Sequence, residues 1–361
     1  MKRIIISVTN DLVTDQRVSK VCNTLKELGF DILLIGRKLP NSLPLDRPYK
    51  TYRMSLLFNK GFLFYTEYNI RLFLKLLFTK KDILLANDLD TLIPNYLISR
   101  FLNKKILYDS HELFTEVPEL INRPRVQKVW LKIEKNILPK LKNCYTVCQS
   151  IADYYNDKYN TDFKVIRNLP EKSKIEVTKF PFDVENKKII LYQGSLNIGR
   201  GLELMIDTMQ YLENSIFVIV GDGDITNQLK QQVVDLKMED KVKFLGKLTP
   251  KELKSITPQA NLGISIEEDL GLNYRFVLPN KIFDYIQAEI PILVSDLPEM
   301  RQIVDNHKVG EIIIDRNPIE LANQIKEILK KNYSVNLQSA KKVLIWSQEK
   351  EKLKAILNHL N

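Results

Sequence analysis

At 361 residues the chain is longer than one ordinary core and suits two domains of about 150 to 200 residues each. Its 44% hydrophobic and 27% charged residues are average for a globular protein, which excludes general disorder and a fibrous architecture. The 54 Lys and Arg against 44 Asp and Glu leave a net charge of +10, a balance that points to phosphate-bearing ligands while nucleotide, anionic lipid and nucleic acid all stay open.

In chain order, residues 3–8 (RIIISV) are a continuous apolar run, the pattern of a strand buried on both faces. Asp15 opens a helix in which Val18, Val21, Cys22, Leu25 and Leu28 recur at helical spacing, Gly29 closes it, and 31–36 (DILLIG) is the next strand. That is a βαβ unit, and the strands predicted at 82–86, 105–109 and 144–148 continue a parallel sheet. No stretch reaches the roughly 18 to 20 apolar residues of a membrane span, and Met1 to Asn10 runs into a strand where a signal peptide would carry its apolar core, so a cytoplasmic protein is expected. Cys22, Cys144 and Cys148 are few and odd in number, which reads as reduced thiols. Strand alternation in CYTVC puts Cys144 and Cys148 on one face as core residues. With His111, His307 and His359 the only histidines, no zinc cluster is legible.

The second half restarts the rhythm with strand 188–193, a glycine-containing loop, helix 201–212, strand 216–220, strand 242–245 and strand 291–295. The expected division is an N-terminal domain 1–166, a linker 167–185 containing Pro170 and Pro181, and a C-terminal domain 186–344, with a helical segment 345–361 at the end. Both domains read as Rossmann-like doubly wound α/β sheets, whose ligands lie at the carboxyl ends of the strands, so the cleft between them is the expected active site.

Among those strand-end loops, Gly194-Ser195-Leu196-Asn197-Ile198-Gly199-Arg200-Gly201 combines glycines that admit close backbone approach with a permanent cation at Arg200. It reads either as a phosphate site or as a tight turn with a surface arginine, and it is neither a Walker A sequence nor a dinucleotide fingerprint. In LPNKIFDY, Pro279 suits a helix start, Asn280 and Lys281 fall in its first turn, and Asp284 is placed to accept ribose hydroxyl protons. Asp109-Ser110-His111-Glu112 and Asn87-Asp88-Leu89-Asp90 end two strands of the first half, and His111 is the side chain best matched to proton transfer or polarisation near neutrality. Asp88-Leu89-Asp90 and Asp222-Gly223-Asp224 spell D-x-D, but neither is read as a metal site, because helix ends and cations suit stabilisation of a leaving phosphate here.

As an ordered series, TDQRVSKVCNTLKELGFDILLI, NDLDTLIP, ILYDSHELFTE, VIRNLPE, ILYQGSLNIGRGLELMI, IVGDGD, VKFLGKL and LPNKIFDYIQAEIPILVSDLPE resemble the family 4 retaining glycosyltransferases (glycosyl transferases group 1) over most of the chain. The resemblance implies a GT-B fold, two Rossmann-like domains facing across a cleft, with the helix from Trp346 crossing back to the N-terminal domain. It implies a UDP- or GDP-sugar donor in the C-terminal domain, a glycan or lipid-linked acceptor on the N-terminal domain, retention of configuration, no required cofactor or metal, and a part in assembling cell-surface polysaccharide or glycoconjugate. His111, Arg200 and Lys281 are the implied catalytic positions, and Gly194, Ser195, Arg200, Gly221, Asp222, Gly223, Asn280, Lys281 and Asp284 the donor-binding ones. Of the two family cations that hold the diphosphate, one maps to Arg200 and the other to Ser195, and Lys281 offers a replacement. Asp284 takes the second glutamate of the family's E-x7-E motif and Phe276 the first, and Asn87 stands where histidine is common. Asn10, Asp11, Asp15, Arg17, Asp88 and Glu112 are the acceptor-side candidates.

Between Arg123 and Lys142 there are seven basic residues against one acid, Glu134, with Val126, Val129, Trp130, Ile133 and Ile137 along one helical face. With the apolar helix expected over 62–78, this predicts peripheral attachment to an anionic inner membrane face, against the plainer reading of two ordinary domain helices. Nucleic acid is not expected as a partner, since the basic residues are not part of a recognised binding module. A nucleotide-sugar epimerase or phosphorylase of the same fold, and a non-catalytic nucleotide-sugar binding protein, are the rival readings.

Overall fold

The isoleucines at 4, 5 and 6 are wholly buried in strand β1 (Arg3–Asp11), as an apolar run covered on both faces should be. In this computed structural model the described residues are 1–13, 15–172 and 177–358. Residues 173–176 of the expected linker, and residues 359–361 with His359, lie outside them.

The chain folds as two compact units, one of Met1–Asn168 with Glu349–Asn361 and a second of Leu169–Gln348. In the first, β1, β2 (Asp31–Lys38), β3 (Lys50–Ser55), β4 (Ile83–Asn87), β5 (Lys105–Ser110), β6 (Cys144–Thr146) and β7 (Phe163–Val165) form a parallel sheet in the order β3-β2-β1-β4-β5-β6-β7. The helix Gln16–Glu27 begins where expected, because the Asp15 carboxylate accepts the Val18 N–H at 3.0 Å. The second unit repeats the plan with β8 (Lys188–Gln193), β9 (Ser215–Val220), β10 (Val242–Gly246), β11 (Leu262–Ser265), β12 (Ile292–Val294) and β13 (Gly310–Ile312), in the parallel order β10-β9-β8-β11-β12-β13. Strand order reverses direction between β1 and β4 in one unit and between β8 and β11 in the other, the positions where open α/β sheets bind ligands.

Four strands carry no clear sequence signal. β3 and β7 lie at opposite edges of their sheet, and β11 and β13 are only four and three residues long. β6 ends at Thr146, so Cys148 is not on a strand with Cys144; it precedes the helix Gln149–Tyr159 as its N-cap residue. Both are nonetheless buried and in no disulfide, as is Cys22. Within 167–185, Leu169 and Phe180 are buried in the core of the second unit.

Candidate functional site

In the second unit the loop after β8 folds back against the loop after β9. The Leu196 N–H donates to the Asp222 carbonyl at 3.2 Å and the Ile225 N–H to the Leu196 carbonyl at 3.0 Å. Glycine is obligatory where they touch: a Cβ on Gly221, which has φ 141°, would stand 1.8 Å from the Gly194 carbonyl oxygen. Asp222 is used locally, its carboxylate accepting the Thr226 hydroxyl at 2.8 Å and the Gly223 N–H at 3.0 Å, which hold it below the usual carboxylate range.

A third loop, following β11, brings in Glu267, which nothing in its sequence neighbourhood singles out. Its carboxylate is fully buried and accepts Lys281 Nζ at 2.9 Å and the Ser265 hydroxyl at 2.8 Å, with Arg200 Nη1 at 3.6 Å. Burial opposes its ionisation, but Lys281 and then Arg200 hold it below the usual range. The two cations expected at the donor thus arrive from separate loops at one carboxylate. Lys281 Nζ lies 4.0 Å from the Tyr192 ring centroid and 3.7 Å from where a Cβ on Gly194 would be, and the Tyr192 hydroxyl donates to the Ser195 carbonyl at 2.7 Å. The Arg200 guanidinium rests over Tyr274, 5.2 Å from its centroid. Asn280 is exposed at the start of the helix Asn280–Gln287, and one turn on the Asp284 carboxylate accepts Gln193 Nε2 at 3.0 Å. Phe276 is half-buried just after the short helix Leu272–Arg275. A strand recognised in LGIS would have put Glu267 at a strand end beside the switch point and marked it as a candidate.

In the first unit the carboxyl ends of β1, β4 and β5 hold an ionic chain, buried at Arg17 and Asp109 and half-buried at His111 and Asp88. His111 Nδ1 is 3.2 Å from Asp88 Oδ2 and Nε2 3.2 Å from Asp109 Oδ2, while the His111 N–H donates to Asp88 Oδ1 at 2.8 Å. Asp109 also accepts Arg17 in a fork, Nε at 2.9 Å and Nη2 at 2.7 Å, and Arg17 Nη1 donates to the Ile166 carbonyl at 2.8 Å. Burial works against a charged imidazole, yet Asp88 and Asp109 hold His111 up at about 9. It is therefore an imidazolium at neutral pH, suited to attract or donate to developing negative charge rather than to abstract a proton. Asp88 holds its place with φ 57°, a region that costs a non-glycine residue backbone strain. Burial, and then Asp88, push Asp90 up to about 7, and its Oδ2 accepts the Thr9 hydroxyl at 2.6 Å.

The other acceptor-side candidates are dispersed. Asp15 caps its helix and accepts Asn10 Nδ2 at 3.2 Å. Asp11 pairs with Arg53 at 3.1 Å and accepts the Ser42 hydroxyl. Glu112 is exposed. Arg17, buried and fully engaged, acts as the partner that keeps Asp109 ionised beneath His111, and Asp109, visible in the sequence as the start of the segment ending β5, is the member of this set to which sequence alone assigned no role. Among the described residues no cluster of His, Cys, Asp and Glu is placed to hold a metal ion.

The family model for glycosyl transferases group 1 matches residues 174–343. The O-antigen chain mannosyltransferase RfbU of Salmonella typhimurium is 26% identical over 189 residues, 50% of this chain and 50% of that protein. The chitobiosyldiphosphodolichol beta-mannosyltransferase of Candida albicans is 23% identical over 62% of this chain and 53% of its own length, so the matches span about half of each curated relative. Among solved structures, a sucrose-phosphate synthase from Thermosynechococcus elongatus superposes with TM-score 0.81 at 15% identity, covering 100% of this chain and 99% of that one. Anabaena HepE, solved in complex with UDP-glucose, gives 0.73 at 14% identity, covering 99% and 100%. At such identities the likeness is one of fold, and that fold is GT-B. Residues 174–343 match the glycosyl transferases group 1 family, and the two Rossmann-like sheets of the chain have the GT-B architecture.

Proposed function

We propose that the protein is a retaining glycosyltransferase that moves a sugar from a nucleotide-sugar donor, held by the C-terminal unit, to a hydroxyl of a glycan or lipid-linked acceptor held by the N-terminal unit. The observation that carries this reading is the meeting of Arg200 and Lys281, from two strand-end loops, at Glu267 beside the Gly194 backbone. Two cations and close-approach glycines at a topological switch point suit a diphosphate. In the reaction the bond from the anomeric carbon to the diphosphate oxygen breaks and one to the acceptor oxygen forms on the same face. The acceptor proton passes to the departing diphosphate, leaving a glycoside and a nucleoside diphosphate. Arg200 and Lys281 stabilise that leaving group, Asp284 takes the ribose hydroxyls, Gly194, Ser195, Gly221, Asp222, Gly223 and Asn280 line the donor, and His111 attracts negative charge near the reacting sugar. HepE solved with UDP-glucose favours a hexose donor on UDP, with GDP the other nucleotide to be tested, and RfbU, named for the O-antigen chain, favours a part in cell-surface polysaccharide assembly. No cofactor or metal ion is assigned to the reaction.

Incubation of the purified protein with UDP- and GDP-sugars and candidate acceptors tests this directly. Free nucleoside diphosphate with sugar transfer is the expected result; an epimerised sugar, or binding without turnover, would replace the transferase by one of its rivals. Arg200→Ala should cost about 1.5 to 3 kcal/mol in kcat/KM, the range of a charge-assisted hydrogen bond. Wild-type kinetics in that variant would remove Arg200 from the site.

The acceptor side carries a second part of the proposal: a cytoplasmic location with peripheral attachment to an anionic membrane face. No helix among the described residues is long and apolar enough to cross a membrane. On the helix Pro124–Ile137, Val126 and Val129 are exposed alongside Arg125, Lys128 and Lys132. Glu134, the acid of that segment, is buried, accepting the Tyr159 hydroxyl at 2.5 Å and Lys158 at 3.3 Å. The helix Gly61–Phe78 buries Phe64, Tyr68, Leu72 and Leu76 and leaves Phe62, Ile70, Leu74 and Phe78 exposed. Apolar side chains flanked by uncancelled lysines and arginines suit an anionic lipid surface, where each cation contributes about 1 kcal/mol. Liposome sedimentation should therefore recover more protein with anionic than with neutral vesicles at low salt, and equal recovery would leave a soluble acceptor.

A further inference from the structure

Glu267 stands in none of the roles assigned so far, yet it is where the donor loops converge. It lies two residues past the end of β11, and every part of it is held: Oε1 by Lys281 at 2.9 Å, Oε2 by the Ser265 hydroxyl at 2.8 Å, and its backbone carbonyl by the Ser295 hydroxyl and by Arg316 Nη1 at 3.4 Å. The side chain is out of contact with water. A carboxylate in such a place costs several kcal/mol unless paired, so its presence is explained only by what it pairs with.

We propose that Glu267 is a positioning residue for the donor diphosphate, fixing the Lys281 ammonium beneath the Gly194 backbone while also facing Arg200. This rests on the donor reading above and assigns the residue that makes it workable. Ser195 leaves the 194–201 loop with one cation, Arg200, so the second must come from elsewhere, and Lys281 supplies it from the helix after Pro279. A lysine is a point charge on a four-carbon stem and does not orient itself as a guanidinium fork does. Glu267 and the Tyr192 ring together fix that charge in one place. Glu267 also removes a conflict. Both Lys281 and Arg200 lie within 3.6 Å of the same Glu267 oxygen, so without its negative charge two cations would repel each other across a poorly hydrated space. With it, the three groups sum to one positive charge, enough to attract a diphosphate and not so much as to drive a cation out to solvent.

Binding of UDP, uridine, GDP and guanosine to the full chain, measured by titration calorimetry on the wild type and on Glu267→Gln, tests the assignment. A nucleoside does not reach the cations, whereas its diphosphate does. The wild type should bind one diphosphate at least about tenfold more tightly than its nucleoside. Glu267→Gln should lose about 10- to 30-fold in diphosphate affinity and less than about twofold in nucleoside affinity. Equal losses for both ligands would mean that Glu267 only supports the fold, and unchanged affinities for both would mean that it supports nothing at this site; either overturns the proposal. A wild type that fails to prefer the diphosphate would instead overturn the donor reading itself, and the assignment with it. Because Glu267→Gln leaves Lys281 buried without its partner, Lys281→Met and the double variant Glu267→Gln/Lys281→Met are measured alongside. The double variant should match Lys281→Met within about twofold, since both changes act through one ammonium. A further tenfold loss in the double variant would show that Glu267 does not act through Lys281.

Discussion

Replacing Arg17 by methionine should destabilise the N-terminal unit by about 3 to 5 kcal/mol, the cost of stripping one partner from a buried ion pair. The pair is 4% and 0% exposed, the two bonds of the fork are 2.9 and 2.7 Å, and a third bond ties the guanidinium to the Ile166 carbonyl. Without Arg17, Asp109 keeps its place in the sheet but must either stay charged with His111 as its remaining cation or take up a proton. Arg17→Lys should recover little, because an ammonium does not reproduce the planar fork. Urea unfolding followed by the fluorescence of Trp130, in a background where Trp346 is phenylalanine, reads the unit in question. A loss under about 1 kcal/mol would mean that the pair is balanced by its own desolvation.

The second large effect is one of pH. His111 is held at about 9 against an ordinary value of 6.5, so the stability it contributes is fully present below pH 6.5 and is lost as pH rises through about 9. A shift of that size corresponds to about 3 kcal/mol. Asp90 acts in the same direction at lower pH. Pushed to about 7 from 3.8, it costs nothing below its ordinary value and imposes its full ionisation cost above pH 7. Between pH 6 and pH 9.5 the urea midpoint of the N-terminal unit should therefore fall steeply in the wild type and much less in His111→Gln. Parallel profiles for the two proteins would show that Asp88 and Asp109 do not hold the imidazolium. If His111 also serves the reacting sugar, the wild-type transfer rate declines over the same upper range.

What could be read from the sequence was local. The run at 4–6 announced a two-faced strand, Asp15 announced a cap, and the spacing of Val18, Val21, Cys22 and Leu25 announced the buried side of a helix; all three follow from neighbours within a few residues. The misses have different causes. β11 is four residues long and contains Gly263, which is needed because a Cβ there would meet the Tyr285 ring at 2.3 Å, a requirement set by a residue in another element. Cys148 left the strand because β6 gives way to a helix two residues earlier than alternation suggested. Glu134 counted in the sequence as the one acid of a basic segment, and only the structure shows it turned into the core against Tyr159 and Lys158. At the candidate site, Arg200 and Lys281 were visible as cations in promising loops, but Glu267, fourteen residues before Lys281, and Asp109, ninety-two after Arg17, gain meaning only from partners that the sheet brings together.

The crossed loops after β8 and β9 bear on heat rather than on contacts. With the Gly221 and Gly194 backbones in touch and the Leu196, Asp222 and Ile225 main chains bonded across, these segments lose their conformational freedom when the second unit folds, not when a ligand arrives. On the proposed donor reading, nucleotide capture by this unit would then carry little entropy of loop ordering, with a calorimetric signature governed by desolvation of the phosphates and by the enthalpy of the ionic contacts, as in a preorganised receptor.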